Sequence, residues 1–163
     1  MALSDEKRRR VTIFTDAQGQ GGVGGVMFCE HHQPVYFADH LGDNFLSSFK
    51  HRKSSIMPLE MGAVHVALHR FRQHIVGANL ILYIDNKSVL YSLRKSNCKA
   101  PDVHKLVQIT CDLIASLGCV VKYVWVPSAW NVADPPSRGT SLPFAKTDVT
   151  SSVTEMNARL RST

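Results

Sequence analysis

One short apolar segment near the middle of the chain constrains the fold more than any other feature. Residues 80–84 form the uninterrupted run Leu-Ile-Leu-Tyr-Ile, which polar residues bound on both sides. Such a run is typical of a central strand that is buried on both faces of its sheet. A helical pattern begins directly after Asp85, so a strand-to-helix junction is expected here. The chain is therefore predicted to form an α/β domain.

The remaining segments give this central strand a defined place in the order of elements. Three β-branched or aromatic runs precede it, at residues 11–15, 23–29 and 35–38, and short turn-like stretches separate them. Helical patterns cover 59–73 and 101–117, and a last strand-like run covers 119–126. The predicted order is three strands, helix, strand, two helices, strand and a final short helix.

Length and composition indicate one intracellular domain. The 163 residues are 44% apolar and 20% charged, which is close to the average of globular proteins. No apolar stretch approaches the roughly 18 residues that a membrane helix needs, and the amino terminus is polar, unlike a signal peptide. We expect a polar lead at 1–10, a domain at 11–139 and a partly mobile tail at 140–163 with a short helix. We also expect a cytoplasmic or nuclear location, without secretion or membrane attachment.

Charge and cysteine content narrow the classes of partner. The formal net charge of +6 favours a polyanionic partner, nucleic acid before an acidic membrane, although solvated surface lysines are an equal explanation. The spacing of the four cysteines matches no zinc site, so free thiols are expected. The cysteines are Cys29, Cys98, Cys111 and Cys119.

Four acidic residues occupy positions where ligand sites form in α/β sheets. Asp16 closes the first strand, Asp85 closes the fourth and Asp134 follows the loop after the fifth, while Glu60 lies on the apolar face of the first long helix. Four carboxylates brought together repel one another unless cations neutralise them. Mg²⁺, which prefers oxygen ligands, is the expected occupant.

Each of these acids also has a structural explanation. Asp16 heads a glycine-rich turn, where Asp is common. Asp85 and Asp134 are candidate helix N-caps, and Pro135 strengthens that alternative for Asp134. Glu60 could pair with a basic side chain or favour the helix dipole. These separate roles do not explain why all four acids stand at matching positions of one topology.

The motifs around these acids resemble those of ribonuclease H domains. The resemblance runs from about Val11 to Arg138 and is closer to retroelement polyproteins, especially DIRS-type retrotransposons, than to cellular ribonuclease H. The motifs are Thr15-Asp16 with the 21–25 segment Gly-Gly-Val-Gly-Gly, Leu59 to Val64, Tyr83 to Asn86, and Trp125 to Arg138. The resemblance implies a ribonuclease H-like fold, with a five-stranded mixed sheet of three antiparallel and then two parallel strands, flanked by helices.

The resemblance also implies an activity. It is endonucleolytic cleavage of the RNA strand of RNA–DNA hybrids as part of reverse transcription, leaving 5′-phosphate and 3′-hydroxyl ends. The implied metal ligands and catalytic residues are Asp16, Glu60, Asp85 and Asp134, which would hold two Mg²⁺ ions, with Mn²⁺ as a substitute. The implied partners are the hybrid and a reverse transcriptase domain in the same polyprotein; the isolated domain is expected to be monomeric. The alternative is a catalytically silent module that binds nucleic acid or tethers a partner.

Candidate substrate contacts follow from the same resemblance. Ser55 matches a position that contacts a DNA phosphate, and Asn86 and Lys87 match positions beside the cleaved RNA backbone. Arg94, Lys95 and Lys99 lie near the turn between two helices, where they either follow phosphates or are simply solvated.

Some features depart from the family pattern or suggest other chemistry. The loop 127–131 contains Trp130 and no histidine, which predicts slow turnover, and Pro135-Pro136 should shorten or redirect the last helix. His65 and His69 have metal-like spacing, but we expect them on the solvent face of their helix rather than in a zinc site. A 3′-to-5′ exonuclease would need an acid where Gln18 stands, and integrase-like sites differ in the order and spacing of their acids.

Overall fold

A computed structural model of the chain describes residues 7–49 and 52–162. Residues 1–6 of the expected lead and Thr163 of the expected tail lie outside the described residues. The strands are β1 (Arg10–Ala17), β2 (Gly22–Cys29), β3 (Val35–His40), β4 (Asn79–Ile84), β5 (Val120–Trp125) and β6 (Ala145–Lys146). The helices are α1 (Asp43–Leu46), α2 (Ile56–Arg70), α3 (Arg72–Ile75), α4 (Lys87–Lys95), α5 (Pro101–Leu117), α6 (Asp134–Ser137) and α7 (Thr150–Arg161).

All six strands form one mixed sheet in the order β5-β4-β1-β2-β3-β6. The first three strands are antiparallel neighbours, and β4 and β5 run parallel to β1. This confirms the predicted α/β fold with three antiparallel and then two parallel strands. The predicted count of five strands is one too low, because β6 pairs parallel with β3. With two residues, β6 is too short to produce an alternating pattern in the sequence.

Helix α2 lies at the centre of the molecule. It packs on β1 and β2 on one side and on α5 and α7 on the other, and all residues from Pro58 to Leu68 are buried. The expectation that His65 faces solvent is therefore wrong, and His69, for which the same was expected, is half-buried. His65 is 1% exposed and its Nδ1 lies 3.0 Å from the Thr110 hydroxyl. An apolar stripe identifies the helix face toward the sheet, but it does not reveal a second layer of helices over the other face.

The carboxyl-terminal segment packs on the domain. After β6, helix α7 contacts α2 and α5, with Val149, Ser152 and Met156 buried. The Ser152 hydroxyl lies 2.8 Å from Nδ1 of His69, which ties this helix to α2. The predicted domain boundary at residue 139 stays a prediction.

The two faces of the sheet are covered unequally. In β4, Leu80, Leu82 and Ile84 are buried, whereas Ile81 and Tyr83 are only half-buried. The expectation of a strand buried on both faces is thus wrong for this strand. On its second face the strand contacts side chains of the neighbouring strand: the Tyr83 ring stacks on Phe14 of β1 with 4.5 Å between the ring centroids. No helix within 7–49 and 52–162 is long and apolar enough to cross a membrane.

Candidate metal centre

Three of the four predicted acids meet at one end of the sheet. Strands β1 and β4 are parallel and pair Phe14 with Tyr83, so two further residues along each strand bring Asp16 level with Asp85. Glu60, in the second turn of α2, approaches them from the helix that covers this part of the sheet. One carboxylate oxygen from each of the three residues lies within 4.8 Å of the others. Parallel pairing and helix packing thus create a compact set of oxygen ligands.

Burial makes this cluster electrostatically costly. Glu60 and Asp16 are 4% and 3% exposed. Burial, followed by the negative charges of Asp85 and Asp16, raises the pKa of Glu60 to about 10. Burial and the charge of Asp85 raise the pKa of Asp16 to about 7. Oε2 of Glu60 is buried and has no hydrogen-bond partner among the described residues.

This donor set fits a hard divalent cation. A cation would neutralise the repulsion among the carboxylates and would give the unpartnered Glu60 oxygen a ligand role. The three acids line a cavity of about 280 Å³, which is large enough for an ion. The arrangement suits Mg²⁺ or Mn²⁺, which carboxylates bind.

Asp134 borders the same cavity but stands outside the group of three. It is the first residue of α6, a helix of only four residues that contains Pro135 and Pro136. This helix lies directly on β2. Gly24 permits the close approach because it has no Cβ; a Cβ there would stand 2.6 Å from the backbone nitrogen of Ser137. Gly24 pairs with Asp16 in the sheet, so the close approach brings Asp134 beside the first carboxylate. The glycine-rich segment therefore helps to assemble the site.

Two residues that the sequence did not single out for the site connect Asp134 with Asp16. Nε2 of Gln18 lies 2.9 Å from the Ser137 hydroxyl and 3.4 Å from carboxylate oxygens of both Asp16 and Asp134. The Ser137 hydroxyl also lies 3.1 Å from Oδ2 of Asp16. The sequence signal for Gln18 was its position two residues after Asp16, and that for Ser137 was its place in the motif that ends at Arg138. Neutral donors here hold two carboxylates in place without adding charge.

Asn131 fixes the loop before Asp134 to the strand ends. Its Nδ2 donates to the carbonyl of Thr15 at 2.9 Å and lies 3.4 Å from Oδ2 of Asp85. Its Oδ1 accepts from the backbone nitrogen of Ala133. The residue is buried, so its amide groups depend on these contacts. Asn131 belongs to the quoted sequence motif, but its link to Asp85 appears only in the fold.

The structure also rules out the capping roles of Asp85 and Asp134. The N-cap of α4 is Asn86, whose side chain accepts from the backbone nitrogen of Val89 at 3.0 Å. The N-cap of α6 is Ala133. Asp134 forms a surface ion pair with Arg138 at 3.1 Å instead. The two aspartates are therefore free of the structural task that the sequence left open for them.

The three candidate substrate contacts occupy different surroundings. Asn86 lines the carboxylate cavity, whereas Ser55 is a half-buried residue directly before α2 and makes no side-chain capping bond. Lys87 is exposed, with Nζ 4.8 Å from the centroid of the Trp125 ring. Trp125 in turn donates from Nε1 to the backbone carbonyl of Asp85 at 3.1 Å. In the loop before Asp134, Trp130 is 78% exposed.

Comparison with protein families identifies the class of domain. Residues 6–111, about two thirds of the chain, match the family described as the RNase H-like domain found in reverse transcriptase. The chain belongs to this family. The match contains Asp16, Glu60 and Asp85 and ends before Asp134. The predicted relation to RNase H domains of retroelements is confirmed at the level of this family, while the DIRS type stays a prediction.

Solved RNase H structures share the fold of this RNase H-like domain. The N-terminal RNase H domain of a Mycobacterium tuberculosis protein aligns with a TM-score of 0.56 and 20% identity, covering 80% of this chain and 98% of that one. RNase H1 from the halophilic archaeon Halobacterium salinarum gives 0.58 and 17%, covering 82% and 99%. LC11-RNase H1, isolated from compost, gives 0.55 and 13%, covering 79% and 91%. Comparison with curated proteins finds no match.

Proposed function

We propose that this RNase H-like domain hydrolyses the RNA strand of RNA–DNA hybrids during reverse transcription of a retroelement. The observation that carries the proposal is the meeting of Asp16, Glu60 and Asp85 within 4.8 Å in a member of this family. A buried carboxylate cluster of this kind weakens the fold unless it binds a cation, so its presence favours a catalytic role.

In the proposed site, Asp16, Glu60 and Asp85 hold divalent metal, and Asp134 completes the ligands for a pair of Mg²⁺ ions. Bound in such a pair, divalent ions lower the pKa of an attacking water and stabilise charge on the leaving oxygen. Water would add to phosphorus and lose a proton, and the bond to the 3′ oxygen would break as that oxygen takes up a proton, which would leave a 5′-phosphate and a 3′-hydroxyl. Mn²⁺ should substitute because it prefers the same ligands.

The chain's own residues control protonation and orientation at this site. Asp16 and Glu60 must lose protons before they bind metal, so metal affinity should increase with pH. Gln18 and Asn131 orient carboxylates through their amide groups. Fixed ligands reduce the reorganisation needed when charge develops on the substrate.

Recognition of the hybrid is proposed to depend on the backbone rather than on base sequence. The 2′-hydroxyl is the group that distinguishes RNA from DNA. Asn86, in the wall of the cavity, and the neighbouring Lys87 are proposed to contact the RNA backbone, and Ser55 a DNA phosphate. Because these contacts do not read base edges, sequence preference should be slight.

The test is incubation of the protein with labelled RNA–DNA hybrid, duplex RNA and duplex DNA, each with and without Mg²⁺. We expect Mg²⁺-dependent cleavage of the RNA strand in the hybrid alone. Asp85→Asn should reduce the rate by about 10³-fold or more while hybrid binding is retained, since a lost ligand removes transition-state stabilisation. Asp112→Asn, at an exposed position of α5, is the matched control.

Each negative outcome has a distinct meaning. Hybrid binding without cleavage by the wild-type protein would favour the silent module. Equal cleavage by wild-type protein and Asp85→Asn would reject the proposed site. Cleavage of duplex DNA at the same rate would reject the substrate.

A further inference from the structure

A larger cavity lies beside the carboxylate site and shares a wall with it. Its volume is about 850 Å³, three times that of the carboxylate cavity. Gln18 and Arg138 border both cavities, and Gln18 also contacts Asp16 and Asp134. A polymer bound at the carboxylates would therefore extend directly into this second cavity.

The second cavity is basic where the first is acidic. Arg138, Lys146 and His40 line it, with Asp39 as the only acidic residue in its described lining. Asp39 already accepts a hydrogen bond from the backbone nitrogen of His40 at 2.7 Å. Arg138 is paired with Asp134 at 3.1 Å, so the exposed Lys146 and an already paired arginine face one partly engaged carboxylate. The lining therefore favours an anionic group.

Lys146 reaches this cavity because of the sixth strand. The strand pairs Lys146 with Tyr36 of β3, and the backbone nitrogen of Thr147 donates to the Tyr36 carbonyl at 2.8 Å. His40 ends β3 on the same border of the sheet. These pairings hold basic side chains on fixed strands beside the shared wall, rather than on a separate tail.

We infer that the basic cavity binds a backbone phosphate of the RNA strand, next to the bond that the carboxylate site cleaves. The inference rests on the proposed function and adds a subsite to it. A strand that crosses the carboxylates needs a favourable place for its neighbouring phosphate, and the shared wall leads directly to cations. A lysine and an arginine supply the charge for such a contact.

The experiment compares Lys146→Ala with Lys122→Ala, both in the Asp85→Asn background so that the hybrid is bound without being cleaved. Both lysines are exposed and lie on strands at opposite edges of the sheet. The dissociation constant of a labelled RNA–DNA hybrid is measured between 50 and 200 mM salt. Loss of one phosphate contact should lower the salt slope by about 0.9 and reduce the salt-dependent loss of affinity by about 3.5-fold over this range. Lys122→Ala should leave the slope unchanged.

Neutral backbone linkages identify the strand. The affinity of both variants is measured for hybrids that carry methylphosphonates on the RNA strand or on the DNA strand. We expect the RNA-strand substitution to weaken binding to Lys122→Ala, but to have less effect on Lys146→Ala, which has already lost the contact. The same coupling with the DNA strand would overturn the assignment.

Failure of this inference is separable from failure of the proposed function. Mg²⁺-dependent cleavage of the hybrid by otherwise wild-type protein, with an unchanged salt slope for Lys146→Ala, would overturn the phosphate subsite alone. Absence of hybrid cleavage by the wild-type protein would overturn the proposed function. Absence of hybrid binding by the Asp85→Asn protein would overturn the inference, whatever the cleavage assay gives.

Discussion

Helix α2 contains two buried ionisable side chains five residues apart, and their surroundings differ in charge and in hydrogen bonding. Glu60 faces the acids of the sheet, and one of its oxygens has no hydrogen-bond partner among the described residues. His65 is buried in the layer of α2, α5 and α7, where its Nδ1 meets the Thr110 hydroxyl at 3.0 Å. Glu60 therefore lies among like charges, whereas His65 has a neutral hydrogen-bond partner.

This difference separates a functional position from a structural one. Burial, with the charge of His69 as the next cause, lowers the pKa of His65 to about 4, so the ring stays neutral at physiological pH and costs little. The pKa of Glu60 is raised, and among the described residues a backbone hydrogen bond at Ala17 offsets the effect of burial and like charge only in part. An unsatisfied buried carboxylate persists when another function requires it. Three predictions test this contrast.

The largest effect is expected for Glu60→Gln, which keeps the shape and removes the charge. In the folded state, the pKa values of Glu60 and Asp16 lie above their ordinary values of 4.5 and 3.8. The folded protein therefore binds more protons than the unfolded chain, and its free energy of unfolding falls as pH rises. The contribution of Asp16 is lost between about pH 4 and pH 7, and that of Glu60 between about pH 4.5 and pH 10. The variant should lose cleavage by at least about 10²-fold.

Urea unfolding in EDTA at pH 5 and pH 9 measures the stability part of this prediction. Glu60→Gln should resemble the wild type at pH 5 and exceed it by on the order of 5 kcal/mol at pH 9, because the glutamine has no proton to lose. Glu30→Gln, at an exposed position, is the control. A variant that is less stable than the wild type at pH 9 would contradict the view of Glu60 as a strained ligand.

An intermediate effect is expected for Thr110→Val, which leaves the buried His65 nitrogen without its partner. The free energy of unfolding should fall by about 1–3 kcal/mol, the cost of an unsatisfied buried group. Cleavage at a temperature where the variant is folded should remain unchanged, since the helical layer is structural. Thr110→Ser keeps the hydroxyl and should recover most of the stability. Loss of cleavage in a folded Thr110→Val protein would break the proposed contrast.

The smallest effect is expected for Gln18→Ala, which removes the bridge between Asp16 and Asp134. The Mg²⁺ concentration for half-maximal cleavage should rise by about tenfold, the equivalent of one charge-assisted hydrogen bond. Rates at saturating Mg²⁺ should change less. Gln108→Ala, at an exposed position of α5, controls for loss of an amide side chain. An unchanged Mg²⁺ requirement would show that Ser137 positions the aspartates without Gln18.

Much of the fold was predictable because its signals are local. The strands near 11–29 alternate or repeat β-branched residues, and Gly118 after the apolar pattern ends α5 with the left-handed conformation that glycine favours. The layer over α2 was not predictable in this way. The buried state of His65 depends on α5 and α7, which are distant in sequence and leave no periodic mark on α2 itself.

The sequence by itself determined the order of the first five strands and the main helices, the family and the choice of four acids, because strand and helix periods and short motifs are carried by neighbouring residues. Only the tertiary structure decided which polar groups meet. It brought Asp16, Glu60 and Asp85 together, joined Asp134 to them through Gln18, and added β6 with Lys146 at the edge. These contacts join residues far apart in the chain, and they form through parallel pairing and close packing on glycine.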